Sequence, residues 1–219
     1  MMLLPLLLAA QPVPAQNAEP FPAPWPDPER EMPGDGAMTP ERNALEARQT
    51  LTRYAACVAR QSPEKVASLL QQDFRTTSYQ NGLRNLSRAN EGCARQVGLR
   101  GSMRMNGLPF AGALAELMLR QGPEPLNKRL AKAIGGRKVE TFGPSDQIAM
   151  CTVRSAPDDV AALFATDFGT TAEATASKKV EAVAKLCSKS VKLETTTDGL
   201  RAIVATASYR LLAGQESQS

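Results

Sequence analysis

One stretch of this chain is written twice. The segment CVARQSPEKVASLLQQDFRTT from Cys57 aligns without a gap on CTVRSAPDDVAALFATDFGTT from Cys151, and ten of the 21 positions are identical. The offset of 94 holds as far as Cys93 and Cys187, after which a two-residue shift lays Asp198-Gly199-Leu200 on Asn106-Gly107-Leu108. Self-similarity at a fixed period marks a supersecondary unit used more than once. Whatever the chain folds into must therefore accommodate the same element set two times. The repeat also fixes the cysteines: Cys57 to Cys93 and Cys151 to Cys187 both span 36 positions.

Each copy reads as helices, which makes the expected fold all-α: two homologous units of about four helices, in tandem or related by a pseudo-two-fold axis. In copy one, Thr39-Pro40-Glu41 is a helix start, with a capping hydroxyl, Pro at the first helical position and an early acid. Leu45, Leu51, Tyr54, Ala55 and Val58 then recur at helical spacing. Ser62-Pro63-Glu64 opens a second helix with Val66, Leu69 and Leu70 on one face. A third runs over about 83–97 and carries Cys93, and a fourth over 108–119. Copy two repeats these over 147–154, 157–165, 173–188 and 200–211. Val97-x-Leu99 and Val191-x-Leu193 alternate and read as short extended pieces. The organisation expected is a leader at 1–15, a Pro-rich linker at 16–40, unit one at 41–121, an inter-unit linker at 122–144, unit two at 145–213 and a tail at 214–219. Leu126 to Ile134 reads as a short amphipathic helix inside the inter-unit linker.

The first ten residues, MMLLPLLLAA, are too short to span a bilayer, which takes about 20 apolar residues. They match the apolar core of a signal peptide, although no Lys or Arg precedes the run. Small residues at Val13-Pro14-Ala15 place the cleavage after Ala15, before Gln16. The other reading is an uncleaved apolar tail. Pro then occupies every second position from Pro20 to Pro28. Each ring fixes its own φ and pushes its predecessor toward extended geometry, so the segment reads as a polyproline II spacer. It is a stalk, or a docking peptide around Phe21 and Trp25.

Behind an export signal, an even number of cysteines implies disulfides. Four cysteines allow three pairings, and all three respect the repeat. A duplicated unit that carries its own staple gives Cys57–Cys93 and Cys151–Cys187. Each would remove ~3.8 kcal/mol of unfolded-state entropy on the chain-entropy model. Zinc sites bring their thiolates in close pairs, and redox sites use C-x-x-C; neither spacing occurs here. The chain holds no histidine, which removes Ser-His and Cys-His catalysis and His-ligated metals. No Gly-rich phosphate loop, nucleophile elbow or EF-hand loop is present. No cofactor is expected.

The net charge of +4 is unevenly spread. Residues 75–138 hold twelve Lys and Arg against three acids, whereas residues 1–41 hold six acids and one Arg. Arg84, Arg88, Arg95, Arg129, Arg137 and Lys138 form a candidate anion patch for lipopolysaccharide, acidic glycan or another anionic polymer. The plainer reading is a solvated basic face. No aromatic residues interleave with these cations as single-strand binding would require, so no nucleic-acid partner is expected.

Besides the cysteines, the one duplicated polar constellation is Asp73-Phe74-x-Thr76 and Asp167-Phe168-x-Thr170. One reading makes Asp73 and Asp167 a catalytic carboxylate pair. The other makes each a helix-end turn, with Asp capping the next segment and Phe plugging the core. Arg60 and Arg154, also duplicated, read as caps of the preceding helix or as partners of the Asp in the turn.

The combination Tyr54-x-x-Cys57-Val58, Pro63-x-x-Val66-x-x-Leu69, Cys93, Leu99-Arg100 and Gly112-x-Leu114-Ala115-Glu116 resembles exported proteobacterial proteins with tandem cysteine-bearing units and no assigned activity. The likeness covers about residues 50–212, and copy two lacks the Leu-Arg and Ala-Glu pieces. It implies export and a helical fold, and adds no functional residue. The expected function is a non-catalytic periplasmic or secreted module, binding or structural, whose partner is an envelope protein or an anionic envelope component. Once the leader is removed it is not expected to be an integral membrane protein. An enzyme using Asp73 and Asp167, or a polyanion binder through 75–138, are the alternatives.

Overall fold

Proline opens four of the helices, where its fixed φ suits the first turn and its missing N–H costs nothing. In the computed structural model, which describes residues 40–98, 107–188 and 193–216, the order is α1 (Pro40–Gln61), α2 (Pro63–Leu70), α3 (Thr77–Ala89), α4 (Glu91–Gln96), α5 (Leu108–Leu119), α6 (Leu126–Ile134), α7 (Pro144–Ser155), α8 (Pro157–Phe164), α9 (Thr171–Ser188) and α10 (Thr197–Glu216). All regular structure among the described residues is helical. The chain divides into Met1–Ala37 and Met38–Ser219, and every described residue lies in the second unit. The leader, the Ala15–Gln16 cleavage position and the Pro-rich segment fall outside the described residues.

The most extensive helix pairing is α5 on α10, with α1 against α5 and α7 against α10. Close approach at the α5–α10 crossing depends on Gly112: a Cβ there would lie 2.5 Å from the Cβ of Ala202. Tyr54 and Phe110 meet in the core with ring centroids 5.5 Å apart. One hydrophobic cluster runs through both copies, from Val58, Val66 and Leu83 to Val153, Val160, Val180 and Leu211. One disulfide ties α1 to α4 through Cys57–Cys93, the other α7 to α9 through Cys151–Cys187, with Cα separations of 5.7 and 5.8 Å.

Three sequence expectations change. The single third helix over 83–97 is two helices in copy one, starting earlier, at Thr77, and broken at Asn90. That residue is buried, and its Nδ2 donates to the Leu86 carbonyl at 2.8 Å. A side chain that takes a backbone acceptor competes with the helical ladder. The position 94 residues on is Ala184, a strong helix former, and α9 runs through it unbroken for 18 residues. Second, the stretch 122–144 is more than a linker: α6 packs on α8 and α10, and Leu130 and Ala133 are buried. Third, the tail is helical as far as Glu216, with Gly214 packed against Val139. Of the two extended pieces, Leu99 and Val191 lie outside the described residues, and Val97 is the C-cap of α4.

Candidate functional site

Helix α10 carries two arginines into the interior. Arg201 and Arg210 are 3% and 4% exposed, and a buried charge is tolerated only when paired and hydrogen-bonded. The two sites meet that requirement to different degrees.

At Arg201 the requirement is met in full. Nε and Nη2 each donate to a Glu116 carboxylate oxygen at 2.8 Å. Nη1 donates to Glu173 at 2.9 Å and to the Thr166 hydroxyl at 3.4 Å. Glu173 also receives Arg48 and the Gly169 N–H, and Arg48 reaches Asp198 at 3.2 Å. Phe168 lies against both guanidiniums, 4.3 Å from that of Arg48 and 4.6 Å from that of Arg201, within cation–π range of each. Burial pushes the Glu173 carboxyl up, but the bonds from Arg48 and Gly169 and the charge of Arg201 outweigh it and hold the group below its ordinary value. The network joins α1, α5, α9 and α10 around a cavity of about 70 Å³.

At Arg210 the requirement is met in part. Nη2 donates to Asp146, whose other oxygen accepts the Phe142 N–H at 2.8 Å. The guanidinium lies 4.8 Å from the Phe142 ring, which Phe74 meets edge-on at 6.1 Å. Nη1 has no hydrogen-bond partner among the described residues. Arg210 lines a cavity of about 200 Å³, together with Asp146, Phe74, Leu70, Tyr79 and Ile203, between α10, the start of α7 and the turn before α3. Tyr79 is buried, and burial pushes its hydroxyl up to about 12, so it stays a neutral donor through the physiological range.

The duplicated turns take a different form from the one expected. The helix caps are Thr76 and Thr170, while Asp73 closes its turn by accepting the Arg75 N–H at Oδ1, at 2.9 Å. Thr76 Oγ1 accepts the Tyr79 N–H at 3.2 Å and donates to the Asp73 carbonyl at 2.8 Å. Thr170 does the same with Glu173 and Asp167, at 3.1 and 2.8 Å. The Asp73 carboxylate is taken by Arg75, whose Nη2 lies 2.8 Å away; the hydrogen bond from Arg75 holds that carboxyl below its ordinary value. Phe74 and Phe168 line the two different cavities, so the turns bearing Asp73 and Asp167 serve separate sites. Arg154 reaches across to the last carbonyl of α6, Ile134, at 3.0 Å, and Arg60 is exposed.

The predicted anion patch is dispersed in role. Arg84 and Arg88 are exposed on α3, and Arg137 and Lys138 are exposed after α6. Arg95 lies 3.9 Å from Glu91, and Arg129 donates to the Leu119 carbonyl that ends α5, at 2.8 Å. Sequence reading missed Glu116, Asp146, Arg201 and Arg210. A signal was available: Arg201 and Arg210 interrupt the apolar pattern of α10 at positions where copy one carries Pro109 and Met118. Among the described residues no three His, Cys, Asp or Glu side chains gather where they would hold a metal ion, and no helix is long and apolar enough to cross a membrane.

No family model, curated protein or solved structure matches this chain.

Proposed function

We propose that the chain is an exported, non-catalytic binding module built from a duplicated helical unit, and that it takes a small ligand in the Arg210 cavity. The observation that carries this reading is the unpartnered Nη1 of a buried arginine beside a cavity of about 200 Å³. An unsatisfied buried donor costs about 1–3 kcal/mol, and a ligand that supplies an acceptor offsets that cost. Export is supported by the apolar N-terminal run and by two disulfides, which persist in oxidising compartments. The pseudo-two-fold arrangement draws support from the α5–α10 pairing, because these are the last helices of the two copies. The enzyme reading draws none, since Asp73 is held by Arg75 and the two duplicated turns face different cavities.

Methyl-resolved NMR of the full chain against a fragment library tests the reading. The three isoleucines, Ile134, Ile148 and Ile203, make the signal at the cavity easy to follow. Hits are expected to shift Ile203 and leave Ile148 in place. A library without a single hit at Ile203 would remove this function. N-terminal sequencing of the exported product is expected to read from Gln16.

A second reading rests on the exposed Arg84 and Arg88: the 75–138 segment binds an anionic polymer. Retention on heparin that persists above physiological salt would favour it, because counterion release makes such binding strongly salt-dependent.

A further inference from the structure

We infer that the Arg210 cavity is built for a small monocarboxylate with an apolar body, whose carboxylate occupies at Nη1 the place that Glu173 occupies at Arg201. The inference rests on the binding reading above and names its ligand class.

Glu173 is the third residue of α9, directly after the Thr170 cap, and its carboxylate bonds Nη1 of Arg201. Ninety-four positions earlier, at the third residue of α3 and after the equivalent cap Thr76, stands Tyr79. Tyr79 lines the cavity beside Arg210. So the position that supplies the second carboxylate at one end of α10 supplies a neutral hydroxyl at the other, and the guanidinium there keeps one nitrogen empty. At Arg201 a buried guanidinium on this helix is bonded by two carboxylates, Glu116 and Glu173, with Arg48 sharing Glu173. At Arg210 the first is Asp146.

Asp146 is engaged by Arg210 and by the Phe142 N–H. Among the described residues that line the cavity the charged ones are Asp146 and Arg210, and the guanidinium has Nη1 without a partner there. Because the Tyr79 hydroxyl stays protonated, it offers the ligand a second donor. Leu70, Phe74 and Ile203 supply the apolar wall. A cavity of about 150 Å³ accommodates benzene, so the 200 Å³ here admits an aromatic or branched aliphatic acid of benzoate size.

The test titrates the full chain with benzoate and, separately, with benzyl alcohol, following the Ile203 methyl signal. A hydrogen bond to a charged group exceeds a neutral one, and benzoate is expected to bind at least about tenfold more tightly than the alcohol. Tyr79→Glu is expected to lose benzoate binding, because the new side chain fills Nη1 from within. Equal affinity for the acid and the alcohol would overturn the carboxylate assignment and leave the cavity reading standing. So would library hits at Ile203 that exclude acids. If Tyr79→Glu does not fold, the wild-type comparison of acid and alcohol decides alone. Benzoate that binds without moving Ile203 would also overturn the assignment.

Discussion

The two ends of α10 pose the same electrostatic problem and solve it differently. Each sends an arginine inward, lays it against a phenylalanine and gives it a carboxylate partner. At Arg201 the four hydrogen bonds of the guanidinium, and those that Glu173 receives from Arg48 and Gly169, are closed by the protein itself, and the remaining space is about 70 Å³. At Arg210 one nitrogen has no partner among the described residues, and the residue lines a cavity of about 200 Å³. The difference traces to pairs 94 positions apart: Arg48 against Phe142, and Glu173 against Tyr79. In the first pair an extra cation becomes an aromatic ring; in the second a carboxylate becomes a phenol. The two turns share their Phe and Thr, and those exchanges accompany a closed ion network at one end and a cavity beside an unpartnered donor at the other.

Breaking the closed end has the largest expected effect. Arg201→Met leaves Glu116 and Glu173 buried without their main cation, and should lower the unfolding free energy by about 3–5 kcal/mol. Chemical denaturation measures it, and adding Glu116→Gln should recover part of the loss by removing one stranded charge. Arg210→Met should cost less, by about 1–3 kcal/mol, because the native site already carries an unsatisfied donor that the substitution deletes. Equal losses at the two ends would contradict the contrast drawn here.

The two turns should behave alike where the ends do not. Thr76→Ala and Thr170→Ala each remove an N-cap and should each cost about 1 kcal/mol. A large inequality would mean that the turns do more at one end than capping.

The closed end contributes to the acid limb of stability through Glu173. Glu173 is held below its ordinary value of 4.5 in the folded chain. Its contribution is therefore present above that value and is lost as pH falls through the folded pKa. Glu173→Gln should flatten the decline in denaturation midpoint below about pH 4.5. The smallest effect lies at the open end and at the alkaline limit. The Tyr79 hydroxyl is raised from 10 to about 12 by burial, so stability from the neutral phenol is present below pH 10 and is lost between those values. An absorbance titration should show a late tyrosinate step that Tyr79→Phe abolishes.

Much of the fold is legible in the sequence because its signals are local. Pro40, Pro63 and Pro157 place helix starts, and apolar spacing predicts α5 at Leu108–Leu119 and α6 at Leu126–Ile134 as the structure has them; the start of α7 at Pro144 lies three residues before the expected Gln147. The break at Asn90 was missed because it depends on a buried side chain reaching a carbonyl one turn back. The site was legible only in part. The Asp-Phe-x-Thr turns were marked by their duplication, yet their capping atoms are those of Thr76 and Thr170. The charged residues that matter most, Glu116, Asp146, Arg201 and Arg210, are not duplicated. Repeat analysis looks for sameness, and these positions matter because the copies differ there.

By itself the sequence determined that the chain is helical, that one stretch recurs 94 positions on and that two pairs of cysteines lie 36 positions apart. Those properties follow from periodicity, capping and spacing along the chain. Only the tertiary structure decided that α5 and α10 cross at Gly112 and Ala202, and that the turn of one copy faces helices of the other. It also decided that Arg201 is closed while Arg210 is open. Burial and the partners of a charge depend on contacts between residues 85 or 64 positions apart, as for Arg201–Glu116 and Arg210–Asp146. No local pattern encodes such contacts.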